Sequence, residues 1–197
     1  MATGDLLPET RDRILEGALQ ALGRVGVRHL TMGEVSERAG LSRGTVYRYF
    51  PTKDDLLAVL ATYEQDRFAA GLRLAVEAYV ESGRTLGIEV VAGYVMDYLR
   101  RHPALTLLFD TEPAFVLGFF RRQLPEFRRI CEDLVAPALG NAEAVRSGLV
   151  SVTELSELLI HVVLSVFLVS GEDQDEVEAD LEVALRSIVK LAGADRS

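Results

Sequence analysis

Apolar residues recur at intervals of three and four along almost the whole chain, and this spacing limits the fold more than any other feature of the sequence. Such intervals are typical of one face of an α-helix, whereas a strand needs apolar and polar residues to alternate. No stretch alternates for long enough to indicate a sheet. Hydrophobic residues make up 49% and charged residues 26% of the 197, a composition that excludes disorder. The sequence therefore predicts an all-α protein of about nine helices.

Capping residues, glycines and prolines mark where the individual helices begin and end. Thr31 followed by Glu34 is a capping box at the start of the second helix. Ser42 offers an N-cap for the third helix, and Thr52 followed by Asp55 opens a long fourth helix. The predicted helices cover residues 10–25, a short stretch after Thr31, and residues 43–50, 52–80, 84–101, 104–109, 114–123, 126–139, 152–169 and 175–191.

Charge is distributed unevenly along the chain. The formal net charge is -9, but residues 1–62 carry eight basic and eight acidic side chains and are therefore neutral. An acidic body repels phosphate, whereas a neutral region with clustered arginines can still contact it locally.

Cys131 is the single cysteine, which excludes a disulfide within the chain and a zinc site built from several cysteines. The N-terminus shows no secretory signal, so we expect a reducing, cytoplasmic setting without membrane association.

Residues 31–53, TMGEVSERAGLSRGTVYRYFPTK, contain two short helices separated by Ala-Gly-Leu, the arrangement of a helix-turn-helix. Its inward-facing positions are apolar: Val35, Ala39, Leu41, Val46 and Phe50. The remaining positions of the third helix carry Arg, Gly, Thr and Tyr. Arg can bind guanine through two hydrogen bonds, Thr and Tyr can contact a thymine methyl group or a phosphate, and Gly permits close approach of a strand. The pattern predicts that the third helix enters the major groove of DNA.

This stretch resembles the DNA-binding head of the tetracycline-repressor-like (TetR) family of bacterial regulators. The resemblance rests on Thr31 opening the second helix, on the AGLS turn at residues 39–42, on GTVYRYF at residues 44–50, and on the PTKDDLL start of the fourth helix. It covers only about residues 10–60, and no basic residue precedes Thr10. The residues that it implies to face DNA are Thr31, Ser42, Arg43, Gly44, Thr45, Tyr47, Arg48, Tyr49 and Lys53.

The resemblance also implies an architecture and a mode of action. Residues 1–55 would form the helix-turn-helix domain, and residues 56–197 an effector-binding and dimerisation domain that the long fourth helix joins to it. A homodimer would present two recognition helices to the two halves of a palindromic operator. We therefore expect a sequence-specific transcriptional regulator, a repressor that a small, mainly hydrophobic effector releases from double-stranded DNA.

The helix predicted over residues 152–169 is apolar nearly all round, so it must be buried on two sides. The final predicted helix has an apolar stripe on one side only. Two such helices that meet their copies would form a four-helix dimer interface, which the family resemblance also implies. The residues predicted for this interface are Leu155, Leu159, Val162, Val166, Leu181, Leu185 and Ile188.

The middle helices contain most of the aromatic residues of the chain. Ordinary core packing explains any one of them, whereas the family resemblance favours an apolar cavity for a small effector. His161 lies on a thin polar line with Glu157 and Ser165, a position more typical of a core or interface histidine than of a ligand contact. The residues predicted to line the cavity are Tyr94, Tyr98, Phe109, Phe115, Phe119 and His161.

Competing functional classes have little support in the sequence. There is no glycine-rich phosphate loop, no paired-histidine metal motif and no nucleophile with an evident base, so we expect neither an enzyme nor a cofactor. The alternative that stays open is a helical small-molecule-binding or redox-responsive module, with Cys131 as the sensor, that does not bind an operator.

Overall fold

The computed structural model describes residues 7–83, 88–140 and 143–169, together with residues 179–180, 183–184 and 187. Throughout these ranges the regular secondary structure is helical, which confirms the predicted fold class. The longest helices are α4 and α7, and α8 is a single turn. The bounds are α1 Pro8–His29, α2 Met32–Ala39, α3 Arg43–Tyr49, α4 Lys53–Glu81, α5 Ile88–Arg101, α6 Leu105–Thr111, α7 Pro113–Leu139, α8 Glu143–Arg146 and α9 Val152–Val169.

Most helix boundaries agree with the predictions to within a few residues. The regular part of α1 ends at Gly26, where φ is 70°, but one further helical turn follows and continues to His29. The predicted break at Pro125 is wrong, because α7 runs through this proline without interruption. A helix accepts the φ of proline and loses one backbone hydrogen bond there. The ring contact of Phe120 with Phe127, at a centroid distance of 5.7 Å, packs the turns on either side together.

The first compact unit contains Met1–Arg67 and His102–Val116, so α6 folds with the first three helices. Its core is built from α1, α2, α3 and the first half of α4. The side chains that are at most 4% exposed include Ile14, Leu15, Ala18, Leu22, Val35, Val46, Phe50, Leu56 and Leu60. Burial of this apolar surface holds the short helices α2 and α3, which are too short to be stable alone.

The second compact unit contains Phe68–Arg101 and Leu117–Ser197. It comprises the second half of α4 together with α5, α7, α8 and α9. Residues 84–87 of the predicted fifth helix, and most of the helix predicted over 175–191, lie outside the described residues. The predicted boundary between functional domains at residue 55 stays a prediction. None of the described helices combines the length and the apolar character that crossing a membrane requires.

Candidate nucleic-acid interface

Capping interactions fix the two helices of the helix-turn-helix and the turn between them. The Thr31 hydroxyl accepts a hydrogen bond from the Glu34 amide at 3.1 Å, and the Ser42 hydroxyl accepts one from the Thr45 amide at 3.0 Å. Gly40 ends α2 in the left-handed conformation, with φ 63° and ψ 37°. Only half of the predicted capping box at Thr31 forms, because the Glu34 carboxylate lies 3.6 Å from the Arg24 guanidinium.

The recognition helix α3 has one buried face and one exposed face, as predicted. Val46 is fully buried and Phe50, which caps the helix, is 3% exposed. The Ser42, Arg43, Gly44, Tyr47 and Arg48 positions are exposed, while Thr45 and Tyr49 are half-buried. The apolar face thus holds α3 against the head, and its polar face is left for a partner outside the chain.

The two arginines of α3 have no carboxylate partner among the described residues. Arg48 lies over the ring of Tyr49, with 5.7 Å between its Cζ and the ring centroid. The Arg43 guanidinium lies beside Gly33 of α2, where an added Cβ would be 2.6 Å from its Nη2. Elsewhere arginines bind acids, as Arg128 binds Glu157 at 2.6 Å. Within the described part of the chain, the α3 charges are therefore available to an external anion.

Gly44 and Tyr47 make no packing or hydrogen-bond contact with the described residues that would explain their presence in α3. A Cβ added to Gly44 would meet nothing closer than the Ser42 hydroxyl oxygen at 3.8 Å, so internal packing does not require a glycine here. Tyr47 is 50% exposed, and its hydroxyl group has no hydrogen-bond partner among the described residues. An exposed aromatic side chain beside a bare stretch of helix is an arrangement suited to close contact with a nucleic-acid backbone.

Two residues predicted to face DNA make contacts inside the head. The Tyr49 hydroxyl accepts a hydrogen bond from the Leu7 amide at 2.8 Å and donates one to the Leu7 carbonyl at 3.4 Å. The Lys53 ammonium donates a hydrogen bond to the Val27 carbonyl. Both side chains therefore have a structural role, and their contact with DNA stays a prediction.

Arg13, which was not among the predicted site residues, supports the turn of the helix-turn-helix from α1. Its guanidinium Nη2 donates hydrogen bonds to the carbonyls of Ala39 at 3.0 Å and Gly40 at 3.5 Å. These carbonyls are at the end of α2, where a positive charge is favourable. The 26 residues that separate Arg13 from Ala39 leave no local signal of the contact.

An ion-pair and hydrogen-bond network ties α1 to α4 behind the recognition surface. The Glu16 Oε1 accepts hydrogen bonds from the Tyr63 hydroxyl at 2.8 Å and from Arg67 Nη1 at 3.1 Å. Burial and the hydrogen bond to Glu16 raise the pKa of Tyr63 to about 12.

In the second unit, hydrogen bonds from the amide and hydroxyl of Ser151 lower the pKa of Glu154 at the start of α9.

The second unit contains an aromatic cluster that includes part of the predicted cavity lining. The Phe68 ring lies 5.4 Å from Tyr94, 5.0 Å from Tyr98 and 6.0 Å from Phe127 between centroids. The Tyr94 hydroxyl donates a hydrogen bond to the Phe68 carbonyl at 2.9 Å, above Gly71. We name these four rings, with Phe120 next to Phe127, the aromatic cluster.

The structure places the other predicted cavity residues differently. Phe119 contacts Phe120 at 5.5 Å between centroids and so adjoins the aromatic cluster. Phe109 and Phe115 belong to the first compact unit, and His161 is exposed on α9. Sequence analysis missed Phe68, because nothing in its local pattern distinguishes it from other apolar residues of α4.

The exposed side of α9 does not coincide with the residues of this helix that were predicted to form the dimer interface. Leu155 is only 5% exposed, so its side chain is buried within its own chain. α9 contacts α7 through Thr153, whose hydroxyl donates a hydrogen bond to the Glu132 carboxylate at 3.3 Å. Leu158 is 48% exposed, and His161 on the next turn is exposed too. Val162 is half-buried. The side chains of Leu159 and Val166, and all of Leu181, Leu185 and Ile188, lie outside the described residues, as does the Cys131 side chain.

Comparison with known proteins identifies the same region as the head. Residues 14–60 match the family described as bacterial regulatory proteins, tetR family. Across the described ranges no three His, Cys, Asp or Glu side chains are grouped as metal ligands.

Relatives extend the similarity over nearly the whole chain. The transcriptional repressor AcnR of Corynebacterium diphtheriae is 27% identical over 187 residues, covering 90% of each chain. The crystal structure of a TetR transcription regulator from Haloarcula marismortui superposes with a TM-score of 0.68 at 18% identity, over 94% of this chain and 98% of that one. The repressor FadR of Thermus thermophilus, solved in complex with lauroyl-CoA, has a TM-score of 0.57 at 21% identity, over 91% and 93% of the two chains.

Proposed function

Because the chain belongs to the TetR family of bacterial regulatory proteins, we propose that it is a cytoplasmic repressor that binds a palindromic operator as a homodimer. TetR-family proteins are transcriptional regulators and not enzymes, so the function lies in binding. The proposal concerns which surface of this chain binds DNA, how two copies are arranged and what kind of molecule controls them.

The observation that carries the proposal is the exposed face of α3. Among the described residues Arg43 and Arg48 have no acidic partner and the exposed Tyr47 hydroxyl has no hydrogen-bond partner. Between them Gly44 leaves the helix surface bare, although a glycine is unfavourable in a helix and no contact with the described residues requires it. In our proposal this face lies in the major groove, with guanidinium groups on bases or phosphates and the glycine against a strand.

The residues around α3 would then position it on the sugar-phosphate backbone. Thr31 and Ser42 are exposed and already cap the starts of α2 and α3. In our proposal the starts of α2 and α3, where the helix dipoles are positive, lie against phosphate groups. Thr45 adds a second hydroxyl, 2.9 Å from that of Ser42.

A homodimer supplies the symmetry that a palindrome requires. The support within the chain is the exposed Leu158 on α9, together with Val183, which is 63% exposed in the described fragment that follows. Two heads in such a dimer would contact successive major grooves, which lie roughly 34–36 Å apart on B-DNA. A palindromic operator with half-sites one helical turn apart is the expected binding site.

We further propose that the aromatic cluster binds the effector. The three rings that contact Phe68 offer apolar edges and faces, and Tyr98 brings a hydroxyl group to the cluster. Aromatic rings with one or two polar groups are the typical lining of a site for a small, mainly hydrophobic molecule. Such a molecule can release DNA only if it binds the released state more tightly than the DNA-bound state.

The decisive experiment is selection of a DNA sequence from a random library, followed by titration of that sequence at several salt concentrations. We expect a palindrome that binds two chains. Arg48→Ala should weaken binding at least tenfold, and if the guanidinium binds phosphate it should lower the slope of log Kd against log salt by about one. The matched control is Arg73→Ala, an exposed arginine of α4, which should bind as the wild type does.

Two results would contradict the proposal. The first is that no sequence is enriched and that binding disappears at modest salt concentration, which leaves only the non-specific phosphate attraction. The second is that Arg48→Ala and Arg73→Ala weaken binding equally, because the surface of α3 would then have no special role.

A further inference from the structure

The packing of α6 in the first compact unit supports a further inference, which rests on the function proposed above. The segment His102–Val116 belongs to the first compact unit, although α5 and the second half of α4 separate it in sequence from the rest of that unit. Both ends of α6 contact the C-terminal half of α1. At its start, the backbone of Pro103 lies so close to Gly23 that no side chain fits at residue 23.

The start of α6 is fixed by His102. Its Nδ1 accepts hydrogen bonds from the amides of Ala104 at 3.2 Å and Leu105 at 3.1 Å, which caps the helix. Because Nδ1 accepts, the ring proton is on Nε2, and Nε2 donates to the Glu64 carboxylate of α4 at 3.0 Å. The start of α6 is therefore held by α1 and by α4.

The end of α6 is fixed by Glu112, which is only 7% exposed. Its Oε1 accepts a hydrogen bond from the backbone amide of Arg28 at 3.1 Å. The carboxylate fits because residue 26 is a glycine with φ 70°, where an added Cβ would be 2.4 Å from the same oxygen. A buried carboxylate is unfavourable without hydrogen bonds. The Arg28 amide supplies one, so the Glu112 side chain is fixed against the turn that follows Gly26.

The same peptide group is held from its other side. Lys53, the first residue of α4, donates a hydrogen bond to the carbonyl of Val27. That carbonyl and the amide of Arg28 belong to a single peptide unit. The Val27–Arg28 peptide therefore lies between an ammonium group and a carboxylate, and both hydrogen bonds are of the strong, charge-assisted kind.

We propose that Glu112 is a positioning residue for operator binding. The Val27–Arg28 peptide is in the last turn before α2, so its orientation decides the direction in which the chain enters the helix-turn-helix. With Glu112 in place, α2 begins where its capped end and α3 can contact the same stretch of DNA. Without it, the Val27 carbonyl still accepts hydrogen bonds from Lys53 and from the Leu30 amide, but the Arg28 amide loses its carboxylate acceptor, and the recognition surface samples orientations that do not fit the operator.

The test compares two substitutions at this position in the full-length chain. Glu112→Gln keeps a side-chain oxygen that can accept from the Arg28 amide, whereas Glu112→Ala removes it. We expect Glu112→Ala to raise the Kd for the operator selected by the wild type about tenfold, and Glu112→Gln to stay within about threefold. The Kd for unrelated DNA should not change, because phosphate contacts do not depend on precise orientation. Glu77→Ala, on the exposed side of α4, is the matched control.

Amide hydrogen exchange of the 15N-labelled protein gives a readout that does not need DNA. The Arg28 amide should exchange about tenfold faster in Glu112→Ala than in the wild type or in Glu112→Gln. All titrations are made well below the melting temperature of every variant, so that loss of folded protein cannot imitate loss of positioning.

The outcomes separate this inference from the proposed function. In one outcome, the Glu112→Ala variant folds, exchanges its Arg28 amide hydrogen rapidly and still binds the operator as the wild type does. That result overturns the positioning role and leaves the repressor function intact. Parallel losses of operator and unrelated DNA binding overturn it as well, since they indicate a merely structural role. If the wild type itself selects no sequence, the proposed function fails and the role of Glu112 fails with it.

Discussion

Replacement of Gly44 by alanine should change stability and DNA binding in opposite directions. Gly44 is an exposed residue of α3 without a positive φ, and the nearest atom to an added Cβ is 3.8 Å away. Alanine fits this site without strain and has less backbone freedom to lose on folding. Gly44→Ala should therefore stabilise the head by about 0.4–1 kcal/mol, which raises Tm by about 1–4 °C in a protein of this size.

The operator should respond in the opposite sense. If a DNA strand lies against the bare helix at Gly44, the added methyl group moves α3 away from the groove and lengthens the hydrogen bonds of its neighbours. We expect Kd for the operator to rise at least tenfold, a loss of about 1.4 kcal/mol in binding free energy. Thermal unfolding and a titration with labelled operator measure the two effects on the same preparation.

Gly93→Ala is the matched control for both effects. Gly93 is an exposed helical residue of α5 with no other atom within 4 Å of an added Cβ. This substitution should stabilise the protein by a similar amount and leave operator binding unchanged. A Gly44→Ala protein that is more stable than the wild type but binds the operator normally would show that no DNA strand approaches α3 closely at this residue, which refutes the reasoning. A loss of stability would refute it too, since it would reveal an internal need for the glycine.

Three further predictions concern stability. The pKa of Tyr63 is raised from 10 to about 12, so its contribution to the free energy of unfolding is present below pH 10 and is lost between pH 10 and 12. In urea unfolding, Tyr63→Phe should therefore lose less stability over this pH range than the wild type. The lowered pKa of Glu154 contributes stability at neutral pH that is lost on acidification, so Glu154→Gln should flatten the acid side of the same profile. Gly71→Ala places a Cβ 2.3 Å from the Tyr94 hydroxyl oxygen and should destabilise by about 1–3 kcal/mol. Adding Tyr94→Phe should recover part of that loss in a double-mutant cycle, and independent effects would contradict the contact.

Features that depend on neighbouring residues could be predicted from the sequence. The N-caps at Ser42 and Thr52 involve partners three residues away, and both are present as expected. The inward positions Val46 and Phe50 follow from helical spacing alone. The architecture of the head and its exposed residues were therefore accessible before the structure.

Features that depend on distant residues could not be predicted in this way. Nothing near Glu112 indicates that its carboxylate binds an amide 84 residues earlier in the chain. In the same way, Leu155 belongs to an apolar stripe that suits a dimer, but the sequence does not reveal that this side chain is already buried within its own chain. The pairing of Phe68 with Tyr94 and Phe127 likewise depends on how α4, α5 and α7 meet.

If the aromatic cluster binds the effector, as we propose, the uninterrupted course of α7 through Pro125 has a consequence for the range of molecules that the cluster accepts. Proline has no amide hydrogen, so the carbonyl four residues earlier, at Arg121, receives no helical hydrogen bond from it. Bending α7 at this turn thus breaks one backbone hydrogen bond fewer than bending it elsewhere. Phe120 and Phe127 are on opposite sides of this turn, so a bend changes their ring contact and the contact of Phe127 with Phe68. Guests of different shape can then be accommodated through a change in helix curvature, without local unfolding.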